Sequence, residues 1–304
     1  MTTFASVPNE VRRFIMEDQP VRGYWVDLGN AWSELRAHQH YSGPVQQLLG
    51  EAVTASVLLA ATLKFEGTLT LQLEGKGSVR LLVAQCTNDF KVRAVARVEE
   101  AAANAGGTFR DLVGTDGRLV VTVEAGERDM RYQGIVPLAG ASLSECLETY
   151  FASSEQLPTR VRLAASDDRA VGLLVQRLPD RDGTEDDESP AAAAWRDAQR
   201  AVEGVEPGTL LGSSLQGLLT QRFAERDLRV FKGAQVRFAC RCSPDRVAGL
   251  LRTLGAAEVR DVLREQGYVG VTCEFCQRPY RYDAVDIERL FALGTAPEAP
   301  TSLH

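Results

Sequence analysis

The sequence contains no apolar run long enough to cross a bilayer. The longest such stretch, Val53 to Leu63, is interrupted by polar residues and is far shorter than the roughly 20 residues that a spanning helix requires. The N-terminal residues also lack the basic and apolar segments of a secretory signal peptide. We therefore expect a cytoplasmic protein with no membrane partner.

Residues that commonly carry catalysis are scarce as well. The three histidines, His38, His40 and His304, suggest no catalytic arrangement, and the chain has no glycine-rich loop of the kind that binds nucleotide phosphates. The 41 acidic and 34 basic residues give a net charge of −7, which disfavours broad binding to nucleic acid because such binding needs a positive surface. We expect neither an enzyme nor a nucleic-acid-binding protein.

The first 178 residues show the pattern of a mixed domain. Apolar residues spaced three and four apart predict a helix over residues 42–64, with Ser42 as its N-cap, and Ser142 with Glu145 predicts a second helix to about Ser153. Alternating apolar residues predict strands at 68–73, 79–84, 90–98, 119–123, 132–138, 160–165 and 171–177, with 75–77 as a hairpin turn. Residues 1–178 are thus predicted to form an α+β, β-rich core domain with packed helices.

The composition changes after this domain. Residues 179–190 carry six acidic residues and no large apolar residue, which indicates a solvent-exposed loop, and helices are predicted over 191–202 and 215–226. We assign residues 179–234 to an acidic loop and a helical linker. The second linker helix has an apolar face that is either ordinary core or a latent binding surface, formed by Leu215, Leu218, Leu219 and Phe223.

Residues 235–293 are predicted to form a small third domain, followed by a polar tail at 294–304. Helices are predicted at 244–254 and 256–266, with a final helix after Asp283, and short strands at 235–239, 268–272 and 280–282.

Four of the six cysteines lie in this small domain. Cys240 and Cys242 form one close pair, and Cys273 and Cys276 form another after thirty intervening residues. Zinc prefers four tetrahedral ligands, and two short cysteine pairs can supply four thiolates. In a reducing cytosol, paired cysteines indicate metal or redox chemistry before structural disulfides. We predict one zinc ion per chain, bound by these four residues.

Loss of the zinc ion is expected to unfold the domain. A four-thiolate zinc site supplies an apparent ~10–16 kcal/mol, whereas a core of this size contributes only a few kcal/mol. The short separation within each pair also permits oxidation within that pair, with release of the metal. Unfolding would expose the apolar residues Leu250, Leu254, Val262, Leu263, Ile287 and Leu290. The other two cysteines, Cys86 and Cys146, are predicted to be buried, inert thiols.

Four segments resemble one known family, the 33 kDa chaperonin (heat-shock protein 33) family. The segments Phe238–Leu251 (FACRCSPDRVAGLL) and Val271–Tyr280 (VTCEFCQRPY) are similar to its redox-switch domain. The segments Gly43–Val53 (GPVQQLLGEAV) and Leu63–Leu73 (LKFEGTLTLQL) are similar to its core domain.

The resemblance implies a redox-regulated, ATP-independent holdase chaperone of the stress response. The reduced, zinc-bound form would be inactive. Oxidation would form the disulfides Cys240–Cys242 and Cys273–Cys276, release zinc and unfold the linker and switch domain. The active species would be a homodimer that binds unfolded or partly unfolded proteins, and the apolar face of the second linker helix would be a candidate client surface.

Two other functions fit parts of the sequence. A zinc-ribbon nucleic-acid binder could use four arginines and three aromatic residues near the cysteines, namely Arg237, Arg241, Arg278, Arg281, Phe275, Tyr280 and Tyr282. We expect these arginines instead to offset the negative charge of a zinc tetrathiolate and to lower thiol pKa values. A thiol–disulfide oxidoreductase could use Cys273 and Cys276, but no thioredoxin-like βαβ unit surrounds them.

Overall fold

The structure is a computed structural model, and it describes residues 8–99, 107–125, 130–179, 189–224 and 226–292. The chain divides into two compact units, Met1–Ala239 (the N-terminal unit) and Cys240–His304 (the C-terminal unit). Most of the predicted acidic loop and the whole predicted tail lie outside the described residues.

The N-terminal unit contains two antiparallel-rich sheets. Its strands are β1 (Glu10–Met16), β2 (Val21–Leu28), β3 (Gly67–Glu74), β4 (Val79–Thr87), β5 (Lys91–Val98), β6 (Arg118–Ala125), β7 (Met130–Pro137), β8 (Thr159–Ala165), β9 (Ala170–Arg177), β10 (Leu228–Val230), β11 (Ala234–Gln235) and β12 (Arg237–Phe238). The first sheet has the order β10-β1-β2-β9-β8, with β11 also paired to β1. The second has the order β12-β5-β4-β3-β6-β7.

The helices of this unit are α1 (Asn30–Ala37), α2 (Gly43–Thr62), α3 (Phe109–Val113), α4 (Leu143–Tyr150), α5 (Pro190–Glu203), α6 (Pro207–Gly212) and α7 (Leu215–Arg222). A π-helical turn, Phe151–Glu155, continues α4. The predicted α+β fold is confirmed, and the predicted turn at residues 75–77 joins the antiparallel strands β3 and β4.

Helix α2 packs between the two sheets and contacts strands of both. It is buried on nearly every side, as expected of a helix that is apolar all round. A side chain at Gly50 would come within 2.6 Å of the Ala165 Cβ, so the helix approaches β8 closely only because this residue is glycine. By length and composition α2 could cross a membrane, but 72% of its apolar window is buried inside the protein, as in a core helix.

Two apolar clusters lie on opposite faces of the first sheet. The inner core fills the space between the sheets and includes α2. The outer core packs α5, α6 and α7 against the other face of β1, β2 and β9, with Phe14, Trp25 and Trp195 at its centre. The helices predicted as a linker therefore cover the first sheet.

Several sequence expectations need correction. The strands β1 and β2 and the helix α1 were not predicted; β2 is buried on both faces, so it lacks the alternation that marks a half-exposed strand. Helix α2 ends at Thr62, two residues earlier than predicted, and β3 begins at Gly67. Helix α7 ends at Arg222, four residues earlier than predicted. The strand predicted at 235–239 is two short strands, which belong to different sheets.

Glu51 is a partly buried residue on α2, and desolvation of its carboxyl group raises its pKa to about 7. Its pKa in the unfolded chain is about 4.3, so between these values the folded state binds more protons and stability falls as pH rises. We expect Glu51→Gln to remove this decline and to stabilise the protein at pH 8 by on the order of 1–3 kcal/mol. Urea unfolding at pH 5.5 and pH 8 tests this, with the exposed Glu66→Gln as control; equal pH dependence in both variants would contradict it.

The C-terminal unit is small. It consists of α8 (Pro244–Leu254), α9 (Ala256–Gln266), a hairpin of β13 (Val269–Thr272) and β14 (Pro279–Tyr282), and α10 (Ala284–Ala292). The predicted bounds of its first two helices are confirmed. In the described part of this unit, the apolar core cluster has five buried members, Leu251, Val259, Val269, Ile287 and Leu290. A core of this size is marginal without a further source of stability.

Candidate metal centre

The four cysteines of the C-terminal unit come together at one point. Their sulfur atoms all lie within 4.8 Å of one another. The Sγ atoms of Cys240 and Cys273 are 3.6 Å apart, and those of Cys242 and Cys276 are 3.4 Å apart. All four residues are half-buried and none forms a disulfide.

Local structure positions the first pair. Cys242 directly precedes α8, whose N-cap Ser243 accepts a hydrogen bond from the Arg246 N–H, and Pro244 occupies the first helical position. These residues fix where the helix begins. The N–H of Cys242 donates to the Cys240 sulfur, so the chain turns back on itself within the pair.

The second pair lies in the turn of the β13–β14 hairpin. The N–H of Cys273 donates to the Arg278 oxygen (3.0 Å), and the N–H of Gln277 donates to the Cys273 oxygen (2.8 Å). Gln277 adopts a left-handed conformation (φ 53°), which closes the turn. The N–H of Arg278 donates to the Cys276 sulfur. This geometry presents both sulfur atoms on the same side of the turn.

The sulfur arrangement fits a tetrahedral metal ion. Zinc–sulfur bonds of about 2.3 Å in a tetrahedron require sulfur atoms about 3.8 Å apart. The separations of 3.4 and 3.6 Å are close to this value, and the 4.8 Å limit on the others requires only a small adjustment. The four cysteines could therefore hold one metal ion, and four soft sulfur ligands favour zinc.

Two of the four thiols resist ionisation. Burial raises the pKa of Cys276 to about 12 and also raises the pKa of Cys240. Burial opposes ionisation of Cys242 too, but hydrogen bonding with the Tyr280 hydroxyl and the neighbouring thiols lowers its pKa to about 7. A bound dication deprotonates coordinating thiols outright, so metal binding would ionise Cys240 and Cys276 as well.

The nearby arginines divide between different tasks. The Arg278 charge interacts with Cys242 and Cys276, as the charge-offsetting hypothesis expects. The Arg281 guanidinium instead lies over the Tyr268 ring, 3.9 Å from its centroid. Arg237 belongs to the N-terminal unit, where it pairs with Asp89 at 3.1 Å. These contacts support the charge-offsetting hypothesis for Arg278, and it stays a prediction for Arg281 and Arg237.

The apolar residues expected to appear on unfolding are only partly hidden. Ile287 and Leu290 are buried, and Val262 and Leu263 pack partly against the small core. Leu250 and Leu254 are already 52% and 50% exposed. The expectation that folding covers Leu250 and Leu254 is wrong, because they lie on the side of α8 that faces away from the core.

The candidate client surface lies elsewhere in the chain. All four of its residues, Leu215, Leu218, Leu219 and Phe223, are buried in the outer core, and the Phe223 ring packs edge-on against Phe14 with centroids 6.1 Å apart. The sequence allowed two roles for this apolar face, namely core packing or a covered binding surface. The first sheet covers most of their apolar surface, which becomes accessible only if α7 leaves the sheet, although Leu215, Leu219 and Phe223 also line a surface pocket.

The remaining cysteines are buried thiols, as predicted. Cys86 faces the inner core from β4 and Cys146 faces it from α4. Burial raises the pKa of both thiols, so neither forms a thiolate readily.

Known proteins of one family are similar to this chain over nearly its whole length. The sequence matches the model of the Hsp33 protein family over residues 9–283. It is 39% identical over 286 residues to the 33 kDa chaperonin of Methylobacillus flagellatus, covering 94% of this chain and 95% of that protein. It is 40% identical over 294 residues to the 33 kDa chaperonin of Azotobacter vinelandii, covering 96% and 98%.

A solved structure has the same fold. The crystal structure of the 33 kDa chaperonin (heat shock protein 33 homolog) from Thermotoga maritima superposes with a TM-score of 0.80 at 24% identity, over 95% of this chain and all of that chain. The family match over most of the sequence and relatives near 40% identity agree, and the chain belongs to the Hsp33 family of chaperones.

Proposed function

We propose that this protein is a redox-regulated holdase that binds unfolding proteins without ATP. The observation that carries the proposal is the gathering of four cysteine sulfur atoms within 4.8 Å of one another in a unit with a five-residue core. A unit whose stability depends on those thiols would fold or unfold according to their oxidation state.

In the reduced state, Cys240, Cys242, Cys273 and Cys276 would hold one zinc ion. Zinc would supply charge neutralisation and cross-link the start of α8 to the β13–β14 turn. The Arg278 charge would offset part of the net −2 charge of a zinc tetrathiolate. The client surface on α7 would stay buried in the outer core, and the protein would be inactive.

Oxidation would join the two cysteines of each pair that is close in sequence. One thiolate attacks peroxide and becomes a sulfenic acid, with release of hydroxide. The partner thiolate then displaces a second hydroxide and forms the disulfide, so one peroxide and two thiols give one disulfide and two waters. We assign the disulfides to Cys240 with Cys242 and Cys273 with Cys276. Disulfide sulfur is a poor zinc ligand, so zinc leaves and the unit loses its main source of stability.

Loss of this unit would free the linker helices and expose the apolar outer core to clients. We propose that the active form is a cytoplasmic homodimer with no nucleic-acid or membrane partner. We assign it no catalytic role. Cys273 and Cys276 lie in a zinc-knuckle-like turn, and an oxidoreductase would leave the other two cysteines of the cluster unexplained.

The proposed redox switch predicts that the oxidised and reduced forms of the protein differ greatly in how well they suppress client aggregation. We expect the oxidised, zinc-free protein to suppress the aggregation of a heat-denatured client at near-equimolar ratio, and the reduced, zinc-loaded protein to have little effect. Light scattering measures both, with and without ATP, which should change neither. The variant Cys146→Ala should behave like the wild type, since this buried thiol lies outside the cluster. Equal suppression by both forms would contradict the switch.

A further inference from the structure

Residues 228–239, which we call the edge segment, close one edge of each sheet in the N-terminal unit. Strands β10 and β11 pair antiparallel with β1, and β12 pairs parallel with β5. Backbone bonds join the edge segment to both sheets: the N–H of Val236 donates to the Asn9 oxygen at 2.8 Å, and the N–H of Ala239 donates to the Val92 oxygen at 3.0 Å. Without it, β1 and β5 would present unpaired edges.

Over residues 234–238, the edge segment alternates between apolar and polar side chains. Val236 is 1% exposed and belongs to the inner core, and Ala234 and Phe238 pack partly against it. The Phe238 ring lies against His38 with centroids 5.3 Å apart. The sheets therefore hold apolar side chains at every second position of an extended chain.

Two basic side chains of the edge segment meet carboxylates. Arg229 pairs with Glu17 beside β1 at 2.7 Å, and Arg237 pairs with Asp89 beside β5 at 3.1 Å. Each edge thus pairs a carboxylate with a basic residue that has an apolar residue on both sides in the sequence.

The pairing is short and ends directly before the metal centre. Strand β12 has two residues, and Ala239, its last bonded residue, precedes Cys240. At this end the N–H groups of Arg237 and Ala239 donate to the Phe90 and Val92 oxygens, next to a ladder of only two residue pairs with β5. Each such bond contributes little by itself, so the edge segment depends on a folded neighbour to stay in place.

We propose that the edge segment occupies the strand edges to which a client segment would otherwise bind. When the C-terminal unit unfolds, the edge segment leaves, and β1 and β5 bind extended client segments with alternating apolar and basic residues by strand addition. This inference rests on the proposed function and adds the two sheet edges, with their own client chemistry, to the apolar outer core as a client surface.

A peptide of residues 227–239, labelled with a fluorophore, tests the proposal with the full-length protein. We expect fluorescence anisotropy to show saturable binding to the oxidised, zinc-free protein, and at least about tenfold weaker binding to the reduced protein, whose edges are occupied. A peptide of the same composition with its apolar residues made consecutive should bind at least about tenfold more weakly, since it loses the alternation.

Backbone methylation separates strand addition from general apolar capture. Methylation at the nitrogens of residues 237 and 239 removes the donors to Phe90 and Val92 and should weaken binding about tenfold. Methylation at residue 238 is the control, because alternation points that N–H away from β5, and it should change binding less than about threefold. In the protein, Asp89→Asn should weaken binding of the unmodified peptide about two- to fivefold.

The outcomes separate this inference from the proposed function. If oxidised protein suppresses client aggregation but binds the ordered and permuted peptides equally, or tolerates both methylations, the strand-addition proposal is overturned while the holdase stands. Loss of peptide binding as the oxidised protein is concentrated into dimers would also overturn it, because the edge segment of a second copy would then occupy the edges. If the oxidised protein suppresses no aggregation, the proposed function itself fails.

Discussion

Removal of one zinc ligand is expected to unfold the C-terminal unit and leave the N-terminal unit folded. In Cys273→Ser an alcohol replaces a thiolate, and alcohols are poor zinc ligands. A zinc site with four thiolates would supply an apparent ~10–16 kcal/mol, which the small core of this unit cannot replace. The N-terminal unit has two sheets and two large apolar clusters, so it has an independent source of stability.

Two measurements check this expectation on the reduced protein. Elemental analysis should give one zinc per wild-type chain and well under one for Cys273→Ser. Hydrogen exchange should rise across residues 244–292 in the variant while α2 and β3–β6 stay protected. The control is Cys86→Ala, which removes a thiol from the inner core and should keep the zinc. Full zinc content in Cys273→Ser, or unchanged protection of α8 and α9, would show that the unit does not depend on this ligand.

Replacement of Arg169 is expected to destabilise the N-terminal unit strongly. The Arg169 guanidinium binds both oxygens of Asp27, at 2.9 and 2.5 Å, and the Asp27 side chain is 1% exposed. It also donates to the backbone oxygens of Leu211 and Ser213, where α6 joins α7. Arg169→Ala leaves a buried carboxylate without its partner, which typically costs about 3–5 kcal/mol.

The loss of stability in Arg169→Ala should first affect the linker helices. Urea unfolding measures the change in stability, and hydrogen exchange should show faster opening of α6 and α7 than of α2. Arg118→Ala, which breaks the more exposed pair with Glu74, is the matched control and should cost at most about 1 kcal/mol. Adding Asp27→Asn to Arg169→Ala should recover part of the loss, because the unpaired charge is then removed. A change in Arg169→Ala no larger than in the control would mean that Asp27 is not held by this pair.

Local signals made parts of the fold predictable. The bounds of α8 and α9 follow from Ser243 and Pro244 at one start and from Gly255 and Gly267 after the two ends, with both glycines at positive φ. The strands β3 and β4 alternate between buried and more exposed positions, so their period is visible in the sequence.

Other parts depend on neighbours that are distant in sequence. Strand β2 shows no alternating pattern in the sequence, because α2 and the inner core cover one of its faces and the outer core covers the other. Residues 235–239 look like one strand, but the chain passes from the edge of one sheet to the edge of the other between Gln235 and Arg237. Neither feature leaves a periodic signal, since each arises from what packs against the segment.

The sequence by itself determined the chemistry of the metal centre, because the type and spacing of Cys240, Cys242, Cys273 and Cys276 limit which ions they can bind. Only the tertiary structure decided which apolar residues are buried and which strand edges are paired. It buried Leu215, Leu218, Leu219 and Phe223 under the first sheet and placed the edge segment on two sheets. Burial is a property of packed neighbours, and the residues that cover these positions come from β1, β2, β5 and β9, far away along the chain.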